Sequence, residues 1–119
     1  MQTIETPNYY AFPGVKNPPT IHESEDEKME RIITTIARYL RIDPVAAITR
    51  KRKFDLVYFR HLCMFFIRQK TQLSLKSIGY RFAGKDHTTV LHACNTITGF
   101  LSIKDDRVTT DFEHLKKIL

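Results

Sequence analysis

The chain has 119 residues, 42% of them hydrophobic with eight Phe, which is apolar material for one compact core and one domain. Its formal charge of +6 is unevenly spread: between Arg38 and Lys85 twelve Lys or Arg stand against only Asp43 and Asp55, a concentration that suits a polyanionic partner. No stretch nears the roughly 18 apolar residues of a membrane span, no basic segment leads into an apolar run at the start, and Cys63 and Cys94 form no zinc or redox spacing, so buried thiols and a cytoplasmic protein are expected.

Residues 1–23 carry Pro7, Pro13, Gly14, Pro18 and Pro19 with neither helical nor strand period, and read as an extended arm. Its aromatic cluster Tyr9, Tyr10 and Phe12 leaves two readings open, docking onto the domain or a partner, and a plain tail. The folded part, residues 24–119, opens at Ser24, whose side chain can cap a helix that continues with Glu25, Asp26 and Glu27 at its positive end. Met29, Ile32, Ile33, Ile36, Ala37 and Leu40 recur at helical spacing and carry that helix to about Leu40. Asp43-Pro44 starts a short helix through about Ile48, followed by the cationic run Arg50-Lys51-Arg52-Lys53.

From Phe54 to about Gln69 the apolar residues are dense enough to cover most of a helix circumference, which predicts the central buried helix. Ser74 can cap the next helix, with Leu75, Ile78, Gly79 and Phe82 on one side, and Ala83-Gly84 ends it in a tight turn. Asp86 caps the helix after the turn. Its inward stripe is Val90, Ala93, Cys94 and Ile97, which leaves His87, Thr88, Leu91, His92 and Asn95 outside. A last helix from about Thr109 to Leu119 should present Phe112, Leu115 and Ile118. There is no repeat, strand pair or low-complexity block.

Two short helices joined at Ala83-Gly84 form a helix-turn-helix, in which the second helix lies in the major groove with its first residues at base edges. That spacing alone is weak evidence, because many helical proteins contain it. The residue types add to it: Lys85 can reach phosphate or a guanine acceptor, Asp86 can accept from a cytosine amino group, and Thr88 can pack its methyl on thymine. His87 and Thr89 form a second polar pair beside them, and exposed backbone amides there favour phosphate. Taken singly, Asp86 is a helix cap and Thr88 and Thr89 are a solvated first turn. The plain reading of Arg50 to Lys53 is a solvated loop with nonspecific attraction for phosphate.

The ten residues from Gly84 to Ala93, GKDHTTVLHA, closely resemble the signature of the C-terminal DNA-binding domain of the bacterial replication initiator DnaA. Ungapped similarity runs from about Glu27 to beyond Asn95. The resemblance implies an all-α fold, a compact multi-helix domain with a helix-turn-helix of the Trp-repressor-like kind found in DnaA domain IV. It further implies that Asp86, His87 and Thr88 contact bases, as the aspartate, histidine and first threonine of the signature do in that family. Where the family usually has Gly-Gly-Arg, this chain has Ala83-Gly84-Lys85, which keeps the charge and loses the planar fork of arginine. The family's minor-groove arginine falls on Arg52, in a groove whose negative potential deepens where A·T pairs narrow it. Arg60 matches a family arginine, His61 replaces a usual glutamine and Arg68 stands where lysine is common. With Arg50, Lys51, Lys53, Thr89 and the weaker Lys76, these are the expected phosphate contacts, which position the domain without reading sequence.

An enzyme is not expected. The glycines at 14, 79, 84 and 99 cannot form the phosphate-cradling G-x-x-x-x-G-K-[ST] loop of an ATPase. His87 and His92, five apart, point in different directions around a helix, and the cysteines belong to inward stripes, so neither metal nor cofactor is expected. The resulting expectation is sequence-specific binding of double-stranded DNA at DnaA-box-like sites without ATP hydrolysis, tied to replication initiation or its regulation. The initiator or another replication protein is a further expected partner, and no membrane is. The alternative is a protein-interaction module or transcriptional regulator that keeps the fold and binds a protein through the arm or the C-terminal helix.

Overall fold

The structure is a computed structural model that describes residues 23–119. Of the expected arm only Glu23 falls within it, and its carboxylate accepts two bonds from the guanidinium of Arg31, at 2.9 and 3.0 Å. Helix α1 spans Glu25–Leu40. It starts where the sequence carries a capping box: the Ser24 hydroxyl accepts from the Glu27 amide and the Glu27 carboxylate accepts from the Ser24 amide, satisfying donors the helix itself leaves unpaired. Arg41 ends it in the left-handed region, at φ 59°. A 3-10 turn, Pro44–Ala47, follows, capped by Asp43 on the Val45 amide.

Helix α2, Phe54–Lys70, is the axis of the domain, and every residue from Tyr58 to Ile67 except half-buried His61 is buried. It packs chiefly against α4 and α1. Phe59 and Phe66 on α2, with Phe82 after α3, are among its fully buried aromatic rings, each stabilising the fold by about 1.5–3 kcal/mol relative to exposure. Helices α3, Leu75–Arg81, and α4, His87–Ser102, form the helix-turn-helix, and α4 buries Val90, Ala93, Cys94 and Ile97 as its spacing predicts. Both cysteines are buried free thiols.

Helix α5 differs from expectation. It runs Asp106–Ile118, three residues earlier than expected, because the Asp105 side chain caps the Val108 amide at 3.0 Å. The earlier start sets the inward stripe as Val108, Asp111 and Leu115, with Phe112 beside it stacked on Phe66 at 5.7 Å between ring centres. Ile118 lies off this stripe and is exposed, while Leu119 packs against the core instead. Asp111 is tolerated inside because the hydroxyls of Tyr39 and Tyr58 donate to its two oxygens, at 2.7 and 2.6 Å, tying α5 to both α1 and α2. Burial, and then the bond to Asp111, pushes the Tyr39 hydroxyl up to about 12 and that of Tyr58 far above its ordinary value. Among the described residues no strand occurs, and no helix is long and apolar enough to cross a membrane.

Candidate nucleic-acid interface

The turn that leads into α4 is held by backbone contacts. Ala83 and Gly84 are both left-handed, at φ 63° and 67°, which reverses the chain within two residues. The Gly84 amide then donates to the Tyr80 carbonyl at 3.1 Å and the Lys85 amide to the Gly79 carbonyl at 2.9 Å. Gly79 is buried directly under this turn, so that a β-carbon there would overlap the Lys85 carbonyl oxygen. The turn therefore presents the first residues of α4 at a fixed angle to α3.

Asp86 caps α4, with one carboxylate oxygen accepting from both the amide and the hydroxyl of Thr89, at 3.0 and 3.1 Å. These bonds hold its carboxyl below the usual aspartate range and leave the second oxygen to meet an external donor. Thr89 is thereby tied to the cap and half-buried, whereas Asp86, His87 and Thr88 are exposed side by side and Lys85 is half-buried at their edge. Lys76, Tyr80, Gly84, Lys85, Asp86 and His87 line one shallow cavity of about 410 Å³ in front of the helix N-terminus. Tyr80, 81% exposed, was not among the sequence-derived site residues. Its signal was its place one turn after Lys76 on the outer face of α3.

The cationic run Arg50, Lys51, Arg52 and Lys53 is a loop of four exposed residues between the 3-10 turn and α2. His61, one residue past Arg60 on α2, meets His92 edge-on at 6.0 Å between ring centres. Since His92 follows Thr88 by one turn on the outward face of α4, this contact sets the middle of α2 beside that face, while Phe54 at the start of α2 lies with Thr96 and Phe100 farther along α4. The pairing of His61 with His92 was missed, because their helices are adjacent only in the fold. Burial holds His61 below the usual histidine range, with the charges of His92 and Arg60 as the next causes. Arg68 and Lys76 are exposed.

Arg60 does not stand where a phosphate contact was expected. It is 8% exposed, and its three nitrogens donate to the chain itself: Nε to the Ala46 carbonyl at 2.7 Å, Nη1 to the Lys51 carbonyl at 2.8 Å and Nη2 to the Thr49 hydroxyl at 2.7 Å. Two turns into α2, this arginine faces the 3-10 turn and the loop after it, where three oxygens accept its donors in place of solvent or phosphate. Arg81, on α3, is also engaged within the domain, its guanidinium holding both oxygens of Glu30 at 2.5 and 2.9 Å. Among the described residues no group of three or more His, Cys, Asp or Glu could hold a metal ion.

Residues 29–97 match the sequence profile of the family described as the bacterial DnaA protein helix-turn-helix. The chromosomal replication initiator protein DnaA of Chromobacterium violaceum is 40% identical over 91 residues, covering 76% of this chain and 19% of that protein. The protein of the same name from Synechocystis sp. is 38% identical over 84 residues, 71% of this chain and 18% of the relative. The chain thus spans about a fifth of the length of the curated relatives it matches.

Proposed function

The chain belongs to the bacterial DnaA helix-turn-helix family, and on that premise we propose that it binds double-stranded DNA sequence-specifically at DnaA-box-like sites, through α4 in the major groove and Arg52 in the adjacent minor groove. The observation that carries this reading is the exposed row Asp86, His87 and Thr88 at a rigidly held helix start, with the cationic loop bonded through the Lys51 carbonyl to Arg60, next on α2 to the His61 that meets His92 of α4. In this reading Lys85, Asp86, His87 and Thr88 read base edges. Arg50, Lys51, Lys53, His61, Arg68 and Lys76 attract and position the phosphate backbone, with Thr89 acting through the Asp86 cap. Because the relatives are named as chromosomal replication initiators, the activity is assigned to replication initiation or its control. The residues present supply binding without catalysis. Residues 1–23 and 24–119 are assigned as an arm and a DNA-binding domain.

The test compares a labelled duplex carrying a DnaA-type box with the same bases scrambled, by fluorescence anisotropy at fixed salt. Tight binding of the box and weak binding of the scramble is expected. Equal, weak binding of both would sink sequence-specific readout.

A further inference from the structure

We propose that Arg60 is a positioning residue for minor-groove recognition: it holds the Arg50–Lys53 loop in its binding conformation before DNA arrives, and so sets the discrimination that Arg52 provides. The inference rests on the reading of Arg52 as a groove contact. The loop has no secondary structure of its own, and Lys53, which precedes α2, makes no side-chain cap. Four adjacent exposed cations repel one another, and ordering each residue costs backbone entropy. Something else in the structure must hold them.

Arg60 does so at three points on the approach to Arg52. Its bonds to the Ala46 carbonyl and the Thr49 hydroxyl fix the end of the 3-10 turn, and its bond to the Lys51 carbonyl grips the peptide unit that joins Lys51 to Arg52. On the far side, the Lys53 carbonyl accepts from the Leu56 and Val57 amides, both at 3.0 Å, as the first turn of α2 forms. Arg52 is thus bracketed: the peptide before it is clamped by Arg60 and the residue after it is anchored in α2. A planar guanidinium with three donor directions suits this task, whereas an ammonium cannot span the same three acceptors. Pre-ordering the loop removes an entropy cost from binding, so the benefit appears as affinity and as groove discrimination.

The experiment has two arms. In the DNA-free protein, backbone ¹⁵N relaxation should give order parameters for residues 49–53 near the rigid value of about 0.85, falling below about 0.6 in Arg60→Ala. In the second arm, anisotropy is measured on the box duplex and on one whose A·T pairs under Arg52 are changed to G·C. Arg52→Ala and Arg60→Ala should each lose at least about fivefold in affinity for the box, the scale of one lost groove contact, and both should lose the A·T preference. The double variant should be little weaker than Arg52→Ala alone, while Thr88→Ala should multiply with either. Arg60→Lys should recover only part of the loss. If Arg60→Ala fails to fold by circular dichroism, Thr49→Val, which removes one of the three acceptors, should give a smaller change of the same kind. Losses that multiply between Arg52→Ala and Arg60→Ala, or a loop as rigid in Arg60→Ala as in the wild type, would overturn the proposal. A wild-type protein indifferent to the box would instead defeat the reading of Arg52, and the relaxation arm would still decide whether Arg60 orders the loop.

Discussion

Gly79 and Lys85 are in backbone contact: the Lys85 amide donates to the Gly79 carbonyl at 2.9 Å, and the Lys85 carbonyl fills the space where a side chain on Gly79 would stand. Gly79→Ala must therefore push the start of α4 away from α3. The obstruction is backbone, which cannot rotate aside, so a loss of about 3 kcal/mol is expected, at the upper end for overpacking. Gly99→Ala is the control. It also lies in a helix, has nothing within 4 Å of the added carbon, and should gain up to about 1 kcal/mol from helix propensity. Urea unfolding of the two variants should move in opposite directions.

Ala83 takes up a left-handed conformation at φ 63° beside Gly84 at 67°. For a residue with a β-carbon this costs roughly 1–2 kcal/mol, against about 0.5–1 kcal/mol for the extra freedom glycine has when unfolded. Strain outweighs entropy, so Ala83→Gly should stabilise the domain by about 0.5–1 kcal/mol. A midpoint of urea denaturation at or below that of the wild type would contradict this balance.

The carboxyl of Asp111 joins three helices through Tyr39 and Tyr58, with Arg107 at 3.8 Å. Asp111→Ala leaves two hydroxyls without their acceptor, that of Tyr58 buried, and should cost about 2–4 kcal/mol, since each stranded group costs about 1–3 kcal/mol. Tyr39→Phe removes a donor at the half-buried edge and should cost about 1 kcal/mol. Thermal unfolding followed by circular dichroism ranks the two, and an equal loss for both would mean that the Tyr58 bond contributes little.

His61 gives the domain a pH dependence whose sign follows from its surroundings. It is half-buried, with Arg60 beside it on α2, His92 facing it from α4, and Asp105 and Arg107 lining the same cavity of about 350 Å³. Burial first, and the neighbouring charges after it, lower its affinity for a proton in the folded state. The unfolded chain then binds more protons, so stability falls as pH drops below the unfolded histidine value of about 6.5 and levels off only once folded His61 is protonated. Between pH 7.5 and 5.5 the thermal midpoint should fall less in His61→Gln than in the wild type. Parallel pH profiles for the two proteins would remove His61 from the explanation.

The helices and caps were legible because Ser24, Asp43, Ser74 and Asp86 each combine a capping side chain with an apolar period, and the inward stripe of α4 needed only its spacing. The exposure of Asp86, His87 and Thr88 was legible for the same reason, as they are what remains once Val90 and Ala93 are turned inward. Asp111 and Arg60 were not legible. A charged residue in a helical pattern reads as surface, and what brings each inside is a partner 53 or 72 residues away for Asp111, and 9 to 14 for Arg60. His61 and His92 meet for the same nonlocal reason, through the packing of α2 on α4.

Thr88 and Arg68 separate reading from positioning. Thr88 is exposed on the first turn of α4, and loss of its methyl from a thymine should reduce discrimination between box and scramble by about 1 kcal/mol or more, with little change in nonspecific affinity. Arg68, exposed near the end of α2, should act only on phosphate, so Arg68→Ala should weaken every duplex alike. Salt dependence gives an independent measure. With Arg60 and Arg81 engaged inside the domain, about five remaining cations meeting phosphate would give a log-log slope near −4.5, and Arg68→Ala should bring it closer to zero by about 0.9. Thr88→Ala should leave the slope unchanged. If both variants altered the slope, or neither altered discrimination, the assignment of bases to α4 and phosphates to α2 would be wrong.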